Sequence, residues 1–199
     1  LKGKVEEYLQ VSLDNMRDTL TRRLVSSVGR RHSQSRVEWI MDRRDDGFAS
    51  DPAQVSLLVA GMDYTHDVEG GFASLAAGDP DGLITARSKV KTDLGDLIRL
   101  TRTKLAKADR KRIMCLITID AHGRDVLEKL VREGVKDVDA FQWQSMLKQR
   151  YEDEKAIIAV SDARFPYQYE YMGNGSRLVV TPLTDRIYVT ATQALKLNM

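Results

Sequence analysis

The chain has 199 residues, of which 42% are hydrophobic and 30% are charged, and it contains only 4 prolines. This composition is typical of a globular protein and excludes a disordered tail and a collagen-like repeat. The 31 lysines and arginines nearly balance the 29 aspartates and glutamates, and the net charge of +2 gives no support to nucleic-acid binding.

The sequence also lacks the common signs of secretion and of membrane insertion. No stretch approaches the roughly 20 consecutive apolar residues of a membrane span, and no signal-peptide pattern is present, so we expect a soluble intracellular protein without membrane contact. The single cysteine, Cys115, excludes an intrachain disulfide and a cysteine-rich zinc site. The chain begins at Leu1 and ends at Met199 directly after an apparent helix, so we expect a segment of a larger protein.

The first half of the chain predicts long amphipathic helices. Between Val5 and Val28, apolar residues recur every three or four positions with charged residues between them, as on one face of a helix. Residues 30–50 lose this period and predict a connector with a short ordered patch. Aspartate–proline pairs at 51–52 and 79–80 then place an N-cap acceptor before a proline at the first helical position, so each predicts the start of a further helix.

The third helix, which starts at the aspartate–proline pair at 79–80, is expected to extend toward Ala106. Two more helices are predicted before the pattern changes, and the first of them, the fourth helix, is expected from a cap at Asp109 to a stop at Gly134. A short fifth helix is expected to start at a cap at Asp139 and to continue to Tyr151. These segments together predict a helical bundle.

A strand-rich segment follows the bundle. Residues 156–160 form a β-prone run, and the tyrosines at 167, 169 and 171 alternate with polar residues at period two, which predicts a hairpin around residues 161–166. A Gly-Asn-Gly sequence at 173–175 interrupts this pattern, residues 177–180 offer another extended piece, and Thr181–Pro182 opens a last helix. The predicted fold class is therefore mainly α with a short β-hairpin.

The common catalytic signatures are absent from the sequence. It contains no phosphate-binding loop, dinucleotide-binding glycine motif, zinc-protease motif or nucleophile elbow. None of the three histidines has a second ligand-type residue at a helical offset, so we expect no metal site. Cys115 lies in the apolar run 113–119, which disfavours a reactive thiolate, and we interpret it as a structural thiol.

Two polar or aromatic features admit both a functional and a purely structural interpretation. Asp120, His122 and Asp125 form a compact polar cluster, which is either a charged contact with a neighbouring module or a solvated helix face interrupted by Gly123. The alternating tyrosines either line an aromatic ligand site or cover a core, and packing is the favoured interpretation.

Several stretches closely resemble dynein heavy chains. The sharpest are residues 167–188 (YQYEYMGNGSRLVVTPLTDRIY) and 190–199 (TATQALKLNM). Residues 53–58 (AQVSLL), 119–125 (IDAHGRD) and 141–147 (FQWQSML) are similar to landmarks of the C-terminal half of the dynein linker. The resemblance covers nearly the whole chain, and it is looser before Ala53.

The resemblance implies a domain organisation. In dyneins such residues join the linker, which is the mechanical lever, to the first AAA+ module, immediately before the phosphate loop of that module. It therefore implies a linker helical bundle at 1–155, a strand-rich junction at 156–176 and the N-terminal start of an AAA+ α/β module at 177–199. The missing phosphate loop is thereby explained.

The resemblance also implies a function. Dyneins are ATP-driven, minus-end-directed microtubule motors, and the linker transmits ATP-dependent changes of the AAA+ ring. By the family pattern, the residues that contact the adenine of bound ATP would be Leu178, Val179, Val180, Thr181, Pro182, Leu183 and Thr184. The implied cofactor is ATP or ADP with Mg, whose phosphate- and metal-binding residues lie outside this chain, so the segment alone is expected to be inactive.

The implied partners are the rest of the heavy chain with its AAA+ ring, the microtubule through the full motor, and other dynein heavy, intermediate and light chains. Residues 171–173 (YMG) and 195–199 (LKLNM) favour an axonemal outer-arm form, of the gamma type, over a cytoplasmic one. The expected location is therefore the cytoskeleton of a cilium or flagellum, the axoneme, with the cytoplasm as the alternative.

The sequence departs from the family pattern at two places. Asp63–Tyr64 stands where many dyneins have tryptophan, and Gly123 stands where alanine is usual. We expect either departure to weaken a contact within the linker. Two other classes of protein stay open, a free-standing helical adaptor without enzymatic activity and a small ATP-binding protein, and the absent phosphate loop disfavours the second.

Overall fold

A computed structural model describes residues 3–42, 51–170 and 180–198. These residues contain seven helices, namely α1 (Val5–Arg31), α2 (Arg36–Met41), α3 (Ala53–Ala76), α4 (Gly82–Thr101), α5 (Lys107–Arg132), α6 (Phe141–Gln144) and α7 (Pro182–Lys196). They also contain an antiparallel sheet of three strands in the order β1 (Lys148–Glu152), β2 (Lys155–Val160) and β3 (Ala163–Pro166). The predicted mainly α fold with a short hairpin is confirmed. The predicted Gly-Asn-Gly interruption at 173–175 and residues 177–179 lie outside the described residues.

Helix α3 lies at the centre of the bundle and contacts α1, α4, α5 and β1. Two apolar clusters lie along it. The cluster near its start contains Val55, Leu58, Leu97 and Leu116, and the cluster near its end contains Val68, Phe72, Leu127 and Trp143. Helix α5 contributes to both because Leu116 and Leu127 are eleven residues apart, which is about three turns and the same helix face.

Helix α1 forms over the range that the apolar period predicts, but it is buried only near its C-terminal end. Leu24 and Val28 lie in the core, whereas Val5 and Leu9 are 71% and 59% exposed. The residue pattern thus predicts the helix and its apolar face, because both depend on local spacing. Whether that face is covered depends on what packs against it.

The aspartates that we expected to cap four helices do not cap them. The residues at those N-caps are Pro52, Asp81, Ala106 and Ala140, and none of these makes a side-chain cap hydrogen bond within the described residues. Asp51 instead accepts a 2.6 Å hydrogen bond from Ser27 Oγ, and Asp109 lies inside the first turn of α5, 3.2 Å from Arg112. In both cases another side-chain partner outweighs the backbone amides of the helix start.

Of two predicted helix ends, the structure shifts one and confirms the other. Helix α4 ends at Thr101, earlier than the expected extension toward Ala106. The expected stop at Gly134 is confirmed, because Gly134 has a φ of +64° and donates its N–H to the carbonyl of Val131. Glycine adopts this left-handed conformation without steric cost, which is why it commonly follows the last helical residue.

The predicted fifth helix is wrong beyond Gln144. Residues 148–152 form β1, which pairs with β2 through a tight turn at Asp153 and Glu154, whose φ values are +47° and +60°. A turn with two positive φ angles matches the twist of antiparallel strands. Over so short a window the apolar spacing fits a helix and a strand equally, and pairing with β2 decides between them.

A hairpin that begins with residues 156–160 is confirmed, but its second strand is β3 at residues 163–166, so the prediction that the tyrosine ladder forms that strand is wrong. Strand β3 ends at Pro166, and Tyr169 has a φ of +51°, which breaks the extended geometry. The rings of Tyr167 and Tyr169 meet edge to face at 5.0 Å, and Tyr169 is buried in the first cluster. This supports packing over a ligand site. Tyr171 lies outside the described residues.

Candidate functional site

The candidate site is the start of α7 together with its attachment to the bundle. Thr181 Oγ accepts a 3.4 Å hydrogen bond from the N–H of Thr184, and Thr184 Oγ accepts one from the N–H of Thr181. Pro182 occupies the first turn, where its missing N–H costs nothing. The predicted start of the last helix is therefore confirmed, and local residues define it.

The structure describes five of the seven residues that the resemblance assigns to the adenine. Leu178 and Val179 lie outside the described residues. Val180 and Thr184 are half-buried, while Thr181, Pro182 and Leu183 are exposed, with Leu183 at 67%. The five thus form two residues of connecting chain, Val180 and the N-cap Thr181, followed by the first three residues of α7.

Helix α7 is amphipathic, but its apolar face is uncovered. None of its residues, all of which are described, is buried. Leu183, Ile187 and Leu195 are 67%, 55% and 67% exposed, and their spacing in multiples of four places them along one side of the helix. We call these three residues the apolar stripe of α7. A stripe of this kind is a surface for packing against further protein.

The C-terminal turn of α7 is attached to the turn between β2 and β3. Gln193 Nε2 donates a 2.8 Å hydrogen bond to Asp162 Oδ1, and Lys196 Nζ forms an ion pair with the same carboxylate and donates to the Asp162 carbonyl at 3.2 Å. Hydrogen bonds from Lys196, and then from Gln193, hold the pKa of Asp162 below its usual value. Asp162 was not singled out from the sequence, because nothing local distinguishes it from other turn aspartates.

The N-terminal turn of α7 is close to the polar cluster on α5. His122 Nε2 lies 3.7 Å from Asp185 Oδ1. The other two members of the cluster point elsewhere. Asp120 accepts hydrogen bonds of 2.7 and 2.8 Å from Arg36, and Asp125 pairs with the neighbouring Arg124. The predicted cluster is therefore three separate contacts, of which only His122 is directed at α7.

Asp120 and Arg36 form a buried ion pair inside the bundle. The side chains are 7% and 10% exposed. Burial raises the pKa of Asp120, and the charge of Arg36 opposes that rise. Asp93 also lies 3.4 Å from Arg36, so one guanidinium serves two carboxylates from α4 and α5. This pair ties α2 to the bundle.

A polar cleft of about 620 Å³ lies between the end of α1, α3 and β1, and sequence reasoning missed it. Its charges are paired, as in Arg31 with Asp63 at 2.6 Å and Arg150 with Glu69 at 2.9 Å. Burial raises the pKa of Asp63.

Across residues 3–42, 51–170 and 180–198, no group of three His, Cys, Asp or Glu side chains is placed to hold a metal ion. In the same ranges no helix is both long and apolar enough to cross a membrane.

Comparison with known proteins identifies the family. Residues 167–199 match a family model described as the hydrolytic ATP binding site of the dynein motor region, which fits the expected start of an AAA+ module. The chain is 40% identical, over 100% of its length, to the dynein alpha chain of the flagellar outer arm of Chlamydomonas reinhardtii. Over 99% of its length it is 40% identical to the ciliary dynein beta chain of Heliocidaris crassispina and 37% identical to dynein axonemal heavy chain 9 of Homo sapiens.

The chain spans 4% of the length of each of these relatives. Their ciliary, flagellar and axonemal names confirm the expected axonemal type and its location in the cytoskeleton, whereas the gamma assignment stays a prediction. The similarity extends over the helical bundle as well as over α7. The chain therefore belongs to the dynein heavy chain family, as a segment of the motor.

Proposed function

We propose that this chain is the C-terminal half of a dynein linker joined to the start of the first AAA+ module, and that it acts as the lever of the motor. The division is the one expected from the sequence, with the bundle at 1–155, the junction at 156–176 and the module start at 177–199. The observation that carries the proposal is the placement of α7. It lies within the segment matched to the dynein ATP-binding region, it is hydrogen-bonded to Asp162 of the junction, and it leaves its apolar stripe uncovered.

The packing of the bundle supports a role in transmitting force. Helices α3, α4 and α5 have 24, 20 and 26 residues, which corresponds to lengths of about 30 to 39 Å. They pack along two apolar clusters, and close-packed interiors resist compression. Strand β1 at the end of the bundle pairs with β2 of the junction, so hydrogen bonds connect the two parts continuously.

The start of α7 has the chemistry that an adenine contact needs. A base is recognised by apolar surface together with a few backbone groups. Leu183 is exposed, and its N–H belongs to the first helical turn, where amides have no partner within the helix. We propose that residues 178–184 line the base of ATP or ADP. Mg and the phosphates would be held by residues outside this chain, which supply the hydrolytic chemistry.

The activity of the whole motor belongs to the same proposal. The complete heavy chain would be an ATP-driven, minus-end-directed microtubule motor that works with other dynein heavy, intermediate and light chains in the axoneme. This segment contains no phosphate-binding loop, so we expect the purified 199-residue chain not to turn over ATP. Measurable turnover by the purified chain would contradict this part of the proposal.

The adenine contact can be tested in the complete heavy chain. Val180→Gln and Leu183→Gln are expected to raise KM for ATP more than they lower kcat, because they remove ground-state binding of the base. Ile187→Gln is the matched control, since Ile187 belongs to the same apolar stripe one turn further along. It should leave KM unchanged. An unchanged KM with a reduced melting temperature for the Val180 and Leu183 variants would assign those residues to packing.

A further inference from the structure

The attachment of α7 includes polar contacts near both of its ends, and we propose that they are positioning contacts which set the angle between the lever and the AAA+ module. We call this pair of contacts the clasp. Its main point is Asp162 with Gln193 and Lys196, and its second point is His122 with Asp185. The inference rests on the proposed function and deepens it, because it names the residues that couple the two parts.

The placement of the two points explains why the clasp can define an orientation. Asp185 lies in the first turn of α7, and Gln193 lies eight residues later, about 12 Å along the helix axis. A rigid rod held at one point can still pivot, whereas two separated points define its direction. The residue that α7 contacts at each point belongs to a different element. His122 lies on α5, and Asp162 lies in the β2–β3 turn.

Asp162 is presented by a backbone that is itself well held. The turn connects the paired residues Val160 and Ala163, both of which are buried. Ser161, with a φ of +52°, donates its N–H at 2.7 Å to the carbonyl of Gln144 on α6. The position of the Asp162 backbone therefore follows the position of the bundle. Through its carboxylate, a movement of the bundle is transmitted to Gln193 and Lys196 of α7.

The chemistry of the clasp indicates that it can open. The side chains of Asp162 and Lys196 are 70% and 39% exposed, so water competes for their contacts and salt screens them. By contrast, the helices of the bundle are joined by buried apolar clusters. The polar attachment is therefore easier to break than the apolar packing inside the bundle. His122 is the weaker point, because 3.7 Å exceeds hydrogen-bonding distance.

A charge swap in the complete heavy chain tests the clasp. The single variants Asp162→Lys and Lys196→Asp are each expected to lower the ratio of microtubule gliding velocity to ATP turnover. The expected decrease is at most on the order of two- to fivefold, because the loss of one exposed ion pair changes the equilibrium between closed and open clasp by about that factor. The double variant Asp162→Lys/Lys196→Asp should recover most of the ratio, since it restores an ion pair of opposite polarity.

The control is a matched ion pair on the same sheet. Glu152 pairs with Arg164, and their side chains are 41% and 54% exposed. Glu152→Lys breaks this pair from β1, which carries no clasp residue, so it should leave the ratio unchanged. Gln193→Ala serves as a second, milder variant of the clasp, and it should lower the ratio less than Asp162→Lys, because it removes one hydrogen bond from an uncharged amide and leaves the ion pair in place.

The outcomes separate this inference from the proposed function. An unchanged ratio in both single variants, or a double variant no better than the singles, would overturn the clasp. The proposed adenine contact would still stand if Leu183→Gln raised KM in the same motor. If Leu183→Gln left KM unchanged while the charge swap behaved as expected, the clasp would stand and the adenine contact would fall.

Discussion

Tyr64 on α3 and Gly123 on α5 are in direct contact. Tyr64 Oη donates a 2.9 Å hydrogen bond to the carbonyl of Gly123, and a Cβ atom at position 123 would lie 2.8 Å from Tyr64 Cε2. Burial raises the pKa of Tyr64, which keeps the phenol protonated as a donor. The two positions at which we expected departures from the dynein pattern are therefore one joint feature, in which the glycine leaves room for the tyrosine ring.

The first prediction concerns this contact. Gly123→Ala is expected to lower the free energy of unfolding of the chain, by up to about 2 kcal/mol, in urea melts. Overpacking costs about 1 to 3 kcal/mol, and replacing a helical glycine by alanine returns only about 1 kcal/mol. In a Tyr64→Leu background the ring is gone, so the same substitution should become stabilising.

A glycine in open surroundings provides the control. Apart from its chain neighbours and the nearby backbone of α4 itself, no described atom lies within 4 Å of a Cβ built at Gly95, so Gly95→Ala should raise the free energy of unfolding by about 0.5 to 1 kcal/mol. A gain of similar size for Gly123→Ala in the native background would show that the close approach to Tyr64 does not exist in solution.

The second prediction concerns the two apolar clusters. Leu116 and Leu127 are both 0% exposed, so replacing either by alanine should cost about 2 to 5 kcal/mol of unfolding free energy. Met114 lies on the same helix and is 50% exposed, and Met114→Ala should change stability by no more than about 0.5 kcal/mol. Denaturant melts that show equal small losses for all three variants would place the core on another face of α5.

The third prediction concerns the buried ion pair of Arg36 and Asp120. Removing Asp120 leaves the buried Arg36 with Asp93, 3.4 Å away, as its remaining carboxylate partner, so Asp120→Leu should be destabilising by up to about 3 to 5 kcal/mol. The double variant Arg36→Met/Asp120→Leu should cost less than the sum of the two single variants, by about 1 kcal/mol or more. Additive losses in this double-mutant cycle would mean that the two side chains do not interact in solution.

The fourth prediction concerns Lys148, which is 1% exposed. Its Nζ donates to the carbonyl and the side-chain oxygen of Gln144 at 2.8 and 3.1 Å, and burial lowers its pKa to about 8. Between about pH 8 and the ordinary lysine value near 10.4, the unfolded chain binds more protons than the folded chain. The contribution of Lys148 to the free energy of unfolding should therefore rise with pH in that window, by at most about 3 kcal/mol.

Lys148→Met removes this group and isolates its contribution. The difference in unfolding free energy between the native chain and the variant should increase from pH 8 to pH 10 in parallel urea melts. Arg164→Met on the neighbouring strand is the control, because its exposed guanidinium stays charged throughout that range. Native and Lys148→Met curves that stay parallel over the window would contradict a lowered pKa for Lys148.

The sequence by itself determined those features that depend on residues a few positions apart. The apolar period of α1, the stop at Gly134 and the capped start of α7 at Thr181 all follow from local spacing and local hydrogen bonds. The resemblance to dyneins likewise needs only the order of residues. In the candidate site, that resemblance named residues 178–184 and left their surroundings undefined.

Only the tertiary structure decided which of several locally possible partners each polar side chain takes. Asp51 could have capped α3, but folding brings Ser27 to its carboxylate, and Asp162 has the composition of an ordinary turn until α7 lies against it. Tyr64 and Gly123 are 59 residues apart, and their dependence on each other arises from the packing of α3 on α5. Such pairings are set by distances between elements, which the close packing of the core defines and which local spacing does not encode.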